Sequence, residues 1–99
     1  MELLSKDLLK RIPPLYATEM AEDPQVICRF FLPGTSWTWY VLEFDGQDTF
    51  FGYVVGNHQE LGYFSLRDLL DVEGPLHLGV ERDLYYEPQP LSKIKSVAT

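Results

Sequence analysis

Residues 37–56, WTWYVLEFDGQDTFFGYVVG, constrain the fold more than any other stretch. Trp37 to Phe44 and Thr49 to Val55 are dense in aromatic and β-branched residues, the types that fit a pleated, half-buried surface. Between them lies Asp45-Gly46-Gln47-Asp48, which has the composition of a turn. The pattern predicts two strands folded back on each other. Side chains alternate faces along a strand. Trp37, Trp39, Val41 and Glu43 would share one face, and Tyr40, Leu42 and Phe44 the other. Both faces are mostly apolar, so the hairpin needs cover on both sides.

The turn can be placed in two ways. A two-residue Asp45-Gly46 turn is a strong hairpin signal, but it sets Glu43 opposite Asp48, and like charges directly opposite are unfavourable. A four-residue loop over 45–48 is preferred. It pairs Phe44 with Thr49, Leu42 with Phe51 and Tyr40 with Tyr53. It also sets Gly52 opposite Val41, where a missing side chain would let a neighbour pack closely.

Chain length bounds the cover available. Ninety-nine residues make one domain, 1–99. Such a chain buries roughly 60–65% of its unfolded surface. With 45% apolar residues, a packed core needs no disulfide or metal staple. The single cysteine, Cys28, excludes an internal disulfide and suits a reducing compartment. The opening residues do not read as a signal peptide, and no apolar run reaches ~18 residues. The expectation is a soluble, cytoplasmic protein without a membrane role. Formal net charge is −7, from 15 acidic and 8 basic residues. An acidic surface repels phosphate backbones, so direct nucleic-acid binding is not expected, and a basic protein partner suits it better.

The remaining segments supply the cover. Leu3 to Ile12 reads as an amphipathic helix capped by Ser5, with Leu4 and Leu9 as a staple and Leu8, Leu9 and Ile12 as the buried stripe. Pro13-Pro14 ends it. Leu15 to Pro24 is an acidic connector. Gln25 to Leu32 reads as a strand, in which Arg29 needs an acid or the sheet edge. Pro33 to Ser36 and Gly56 to Gln59 are turns. Glu60 to Phe64 is a short strand running into a helix opened by Ser65, with Asp68 at capping-box spacing and Leu66, Leu69 and Leu70 towards the core. Gly74-Pro75 stops that helix, and Leu76 to Asp83 reads as a last strand. Pro88 and Pro90 argue against a central strand beyond it. Residues from about 92 read as a frayed, flexible tail. The fold class is α+β, a mainly antiparallel sheet of four to five strands with two short helices.

Chemistry is sparse. No glycine cluster opens a helix to cradle phosphate. Cys28 lies in an apolar strand and reads as a core residue rather than a nucleophile. His58, Glu60 and His77 are ligand types for a metal, and Glu43, Asp45 and Asp48 form an oxygen-rich group. The first set is spread over separate loops and strands that the sequence does not bring together, the second lacks the spacing of a known calcium loop, and no cofactor is expected. Glu81-Arg82-Asp83 beside Tyr85 and Tyr86 reads as an ion-pair network or a recognition patch. Trp37, Trp39 and Tyr40 read as core first and as an exposed aromatic platform second.

Five ordered stretches carry a resemblance that periodicity does not supply: PPLYAT (13–18), WTWY (37–40), EFDGQDTFFG (43–52), ELGYFSL (60–66) and ERDLYYEP (81–88). Together they resemble a family of small bacterial proteins of about this length, catalogued as a domain of unknown function. The resemblance runs from the first helix to Leu91. It implies a setting on plasmids, integrative elements, prophages and islands near phage-defence genes. It carries over no catalytic residue. The residues favour a non-enzymatic module that binds a protein partner through the hairpin and the Glu81–Tyr86 segment. An acidic mimic of nucleic acid that inhibits a DNA-processing enzyme, and a small metal-dependent enzyme, stand as alternatives. An unpaired edge strand would also permit a dimer.

Overall fold

A computed structural model describes residues 2–98. The hairpin forms as β3 (Thr38–Phe44) and β4 (Thr49–Val55) and lies at the centre of the fold. β2 (Cys28–Phe31), β5 (Gln59–Ser65) and β6 (Glu81–Arg82) join it in a five-stranded antiparallel sheet of order β5-β4-β3-β2-β6. A separate two-stranded ladder pairs β1 (Gln25–Val26) with β7 (Gln89–Pro90). The helices are α1 (Lys6–Arg11), α2 (Leu66–Asp71) and α3 (Leu91–Ala98). The α+β architecture agrees with the sequence, with one helix and one small ladder more than expected.

Both faces of the hairpin are covered. On one, Phe30, Trp39, Val41, Phe44 and Phe50 pack with Leu3, Leu8 and Ile12 from the α1 region and Leu69 of α2. Phe50 is fully buried and stacks on Phe44 with centroids 4.3 Å apart. On the other face, Val26, Leu42 and Tyr53 pack with Leu91 and Ile94 of α3. Leu91 and Ile94 lie three apart and so share one helix face. That stripe is why residues 91–98 dock as a helix rather than fray. Asp23 holds the helix start, accepting from the Ser92 N–H at 2.9 Å and its hydroxyl at 2.7 Å.

The central hairpin departs from its expected register at one place. Tyr40 pairs with Tyr53 and Val41 with Gly52, as read from the sequence, but then Glu43 pairs with Phe51 and Phe44 with Phe50. Leu42 is the extra residue of a β-bulge. A bulge shifts every later side chain to the opposite face. Phe44 therefore joins Trp39 and Val41 in the first core, while Glu43 moves to the face of Tyr40 and Leu42. The loop is set by Asp45. Its Oδ1 accepts from the N–H groups of Gln47, Asp48 and Thr49 at 2.8, 2.8 and 3.0 Å.

Three other expectations need correction. The strand read over 25–32 breaks at Ile27, whose N–H donates to Val41 O at 2.9 Å, so its two ends serve different sheets. The strand read over 76–83 shortens to β6. Residues before it form a turn in which Gly74 N–H reaches Leu78 O at 2.9 Å, and His77 sits at φ 59°. Helix α1 is shorter than read. Its buried stripe is Leu8 and Ile12 joined by Leu3, while Leu9 is exposed. The Ser5 cap holds, its hydroxyl accepting from Leu8 N–H at 3.1 Å.

Gly52 and Gly62 face each other across β4 and β5, yet their surroundings differ. A Cβ on Gly52 would lie 2.0 Å from the Tyr40 carbonyl oxygen, whereas one on Gly62 meets nothing within 4 Å. Gly52→Ala forces the central ladder apart and is expected to cost about 3 kcal/mol. Gly62→Ala is expected to change stability by less than about 1 kcal/mol. Urea denaturation of the two variants checks the contrast.

Candidate functional site

The ionisable residues singled out in the sequence are mostly engaged by the chain itself. Glu43 is 2% exposed, on the face that the bulge gave it. Its Oε1 accepts from the Tyr16 N–H at 2.8 Å and its Oε2 from the Thr18 N–H at 2.9 Å, with a short third bond from the Thr18 hydroxyl. Tyr16 sits at φ 72°, a left-handed conformation rare outside glycine. That turn aims the donors of residues 16 and 18 at one point. The Phe44 N–H completes the tie by donating to Pro13 O at 2.9 Å. The PPLYAT segment is thereby fastened over the sheet by a buried carboxylate.

Asp48 caps α2. Its Oδ1 accepts from the Arg67 N–H and its Oδ2 from the Ser65 hydroxyl, each at 2.8 Å. The Arg67 amide, then the Ser65 hydroxyl, hold the Asp48 carboxyl below its ordinary pKa. The Gln47 and then Asp48 amides do the same for Asp45. Arg29 finds its acid in Asp83 at 3.2 Å, and the Arg82 guanidinium donates to Leu3 O at 3.0 Å. Glu81 pairs with Phe31 at the sheet edge. The Glu81–Asp83 triplet thus closes the sheet against the N-terminal segment.

The metal-ligand candidates do not converge. Among the described residues, no three His, Cys, Asp or Glu side chains are placed to hold one ion. His58 and Glu60 are exposed at the start of β5. His77 lies in the turn before β6, where its Nδ1 is 2.8 Å from Glu73. Burial pushes the Cys28 thiol up to about 12, against the weaker opposing pull of Arg82 and Arg11. It is protonated at neutral pH and poorly suited to nucleophilic attack.

The aromatic candidates separate. Trp39 and Tyr40 are packed, Trp39 in the first core and Tyr40 between Tyr53 and Tyr86. Trp37 is half-exposed, stacked on Trp39 and pressed over Gly56, where a Cβ would lie 2.3 Å from its ring. Trp39 is therefore no exposed platform. Tyr85 is 94% exposed beside the β6 edge. The Tyr86 hydroxyl is buried and has no hydrogen-bond partner among the described residues, and burial raises its pKa. It borders a cavity of about 170 Å³ with Ser5, Arg11 and Asp83.

One surface groove is not legible in the sequence. It lies between the connector, α3 and the sheet, with a volume of about 370 Å³, lined among others by Tyr16, Glu19, Glu22, Phe51, Leu61 and Tyr63. Glu43 forms part of its floor, and Lys95 stands at the α3 side. Tyr16, Leu61 and Tyr63 are exposed, and Tyr63 packs on Phe51 with centroids 5.0 Å apart. Loss of solvent, then Tyr16 and the carboxylates of Glu43 and Glu19, hold the Tyr63 hydroxyl above its ordinary pKa. Alternation in ELGYF implied that Leu61 and Tyr63 share a face. Nothing local to the connector showed that Tyr16 would meet them.

These features define a small α+β domain with an acidic, aromatic-lined groove at one end of an antiparallel sheet. No helix among the described residues is long and apolar enough to cross a membrane. The chain belongs to a family described as protein of unknown function (DUF2958), whose model matches residues 3–99. No curated protein and no solved structure matches it.

The carboxylates predict the acid response. A depressed folded pKa contributes stability above the unfolded value, near 3.8 for Asp48, and that stability is lost as pH falls through the folded value. Thermal melting is therefore expected to be flat, as far as Asp45 and Asp48 govern it, above about pH 5 and to fall steadily below it. Asp48→Ala should lower the Tm at neutral pH and make the acid limb shallower. An unchanged limb in a melting series across pH would remove Asp48 from the account.

Proposed function

We propose that this domain is a non-enzymatic, cytoplasmic protein-interaction module serving a mobile genetic element or a phage-defence system. The observation that carries the reading is the groove. Tyr16, Leu61 and Tyr63 present apolar and aromatic surface to solvent beside the carboxylates of Glu19 and Glu22. Tyrosine is enriched at the anchors of protein interfaces, and exposed apolar surface rimmed by polar groups marks binding sites. Most of the candidate ionisable residues, by contrast, serve as caps, ties and ion pairs of the fold itself. This moves the docking surface from the hairpin and the Glu81–Tyr86 segment, proposed on sequence alone, to the groove, whose lining keeps Glu43 of that set. The genetic setting rests on the resemblance of the five motif stretches.

The test is affinity capture of the tagged protein from its native host, with nuclease treatment and a salt series. A protein partner near one-to-one should survive nuclease. The paired substitution Leu61→Ser and Tyr63→Ser should lose it, while Tyr85→Ser on the far edge retains it, and both proteins should melt as the wild type does. Capture that depends on nucleic acid, or retention by the Leu61/Tyr63 variant, overturns the reading.

A further inference from the structure

The β4–β5 ladder has a readable phase. The Gly56 N–H reaches His58 O at 2.9 Å, and the Leu66 N–H reaches Asp48 O at 2.7 Å. Both pairs extend the register that sets Val55 against Gln59 and Thr49 against Ser65. Bonded and non-bonded pairs alternate in an antiparallel ladder. Glu60, Gly62 and Phe64 therefore turn their backbone groups towards β4, and Leu61 and Tyr63 turn theirs outward. Among the described residues no strand pairs with that outer edge.

Exposed edges are ordinarily blunted by shortness, lysine, proline or a bulge. The other edge, β6, is two residues long. β5 is seven residues, QELGYFS, without lysine, proline or a register shift. Leu61 and Tyr63 pair with Tyr53 and Phe51, so their side chains stand on the groove face. One strand thus offers outward backbone groups together with side chains that line the groove.

Resting on the interaction reading above, we infer that β5 pairs with an extended basic segment of a partner protein, one of whose lysines or arginines enters the groove. The charge is complementary, since Glu19 and Glu22 line the groove and the chain carries −7 overall. The tyrosine rings suit a cation. The same face already takes one, with Lys95 Nζ 5.8 Å from the Tyr53 ring centroid. Two copies of this chain would meet with like charge, which disfavours β5 pairing with itself.

The probe is a short fluorescent peptide of alternating lysine and valine, titrated by anisotropy at low and high salt beside its glutamate–valine counterpart. The lysine peptide should bind, weaken with salt and exceed the acidic peptide. Leu61→Pro removes an outward N–H and spares the β4 ladder, and it should weaken binding at least about tenfold. Glu19→Lys with Glu22→Lys changes exposed residues only and should do the same, which keeps the test open should the proline variant misfold. No binding, equal binding of both peptides, or unchanged binding by a folded Leu61→Pro overturns the inference. So does a dimer, seen by sedimentation, that Leu61→Pro abolishes. If such a failure occurs while host capture still yields a partner lost on Leu61/Tyr63 substitution, the edge assignment falls and the interaction module stands.

Discussion

The buried carboxylate of Glu43 is the contact on which the docking of the connector, and with it the groove, depends. A carboxylate taken out of water is costly unless its oxygens are satisfied. Here the Tyr16 and Thr18 amides and the Thr18 hydroxyl satisfy both oxygens. The requirement runs in both directions. The amides of a tight turn at φ 72° also need an acceptor, and Glu43 supplies it. The connector is thereby held beside the sheet face that carries Phe51.

The bulge at Leu42 makes this possible. In an unbroken strand Glu43 would point into the aromatic core with Trp39 and Val41, and Phe44 would face the connector. One inserted residue exchanges them. Phe44 then stacks on Phe50, and Phe50 on Phe64 with centroids 5.1 Å apart. Core packing on one face and the polar tie on the other follow from the same irregularity. The groove follows too, because its walls are the fastened connector and the docked α3.

Much of the fold was legible in the sequence. The hairpin, the Ser5 and Ser65 caps, the β5 strand and the need for cover on both faces followed from pattern and cap chemistry. The close approach at Gly52 followed from register, and its neighbour is the Tyr40 carbonyl. What escaped depends on contacts distant in the chain. Strict alternation cannot show a bulge, so it places Glu43 and Phe44 on the wrong faces. Residues from about 92 read as a frayed tail, and only the sheet face beneath Leu91 and Ile94 makes 91–98 a docked helix. Asp45 and Asp48 had the look of a cation site because turn and capping roles use the same side chains as metal ligation. Tyr16 and Tyr63 are 47 positions apart by number, and the groove between them exists only once the connector is tied down.

The central claim is that Glu43 fastens the PPLYAT segment to the sheet. Native-state hydrogen exchange of the Tyr16 and Thr18 amides, in the wild type and in Glu43→Ala, tests it most directly. The account predicts strong protection of both amides in the wild type and its loss in the variant, with the β3–β4 ladder amides still protected. Fast exchange at Tyr16 and Thr18 in the wild type, or protection that survives the substitution, would contradict it.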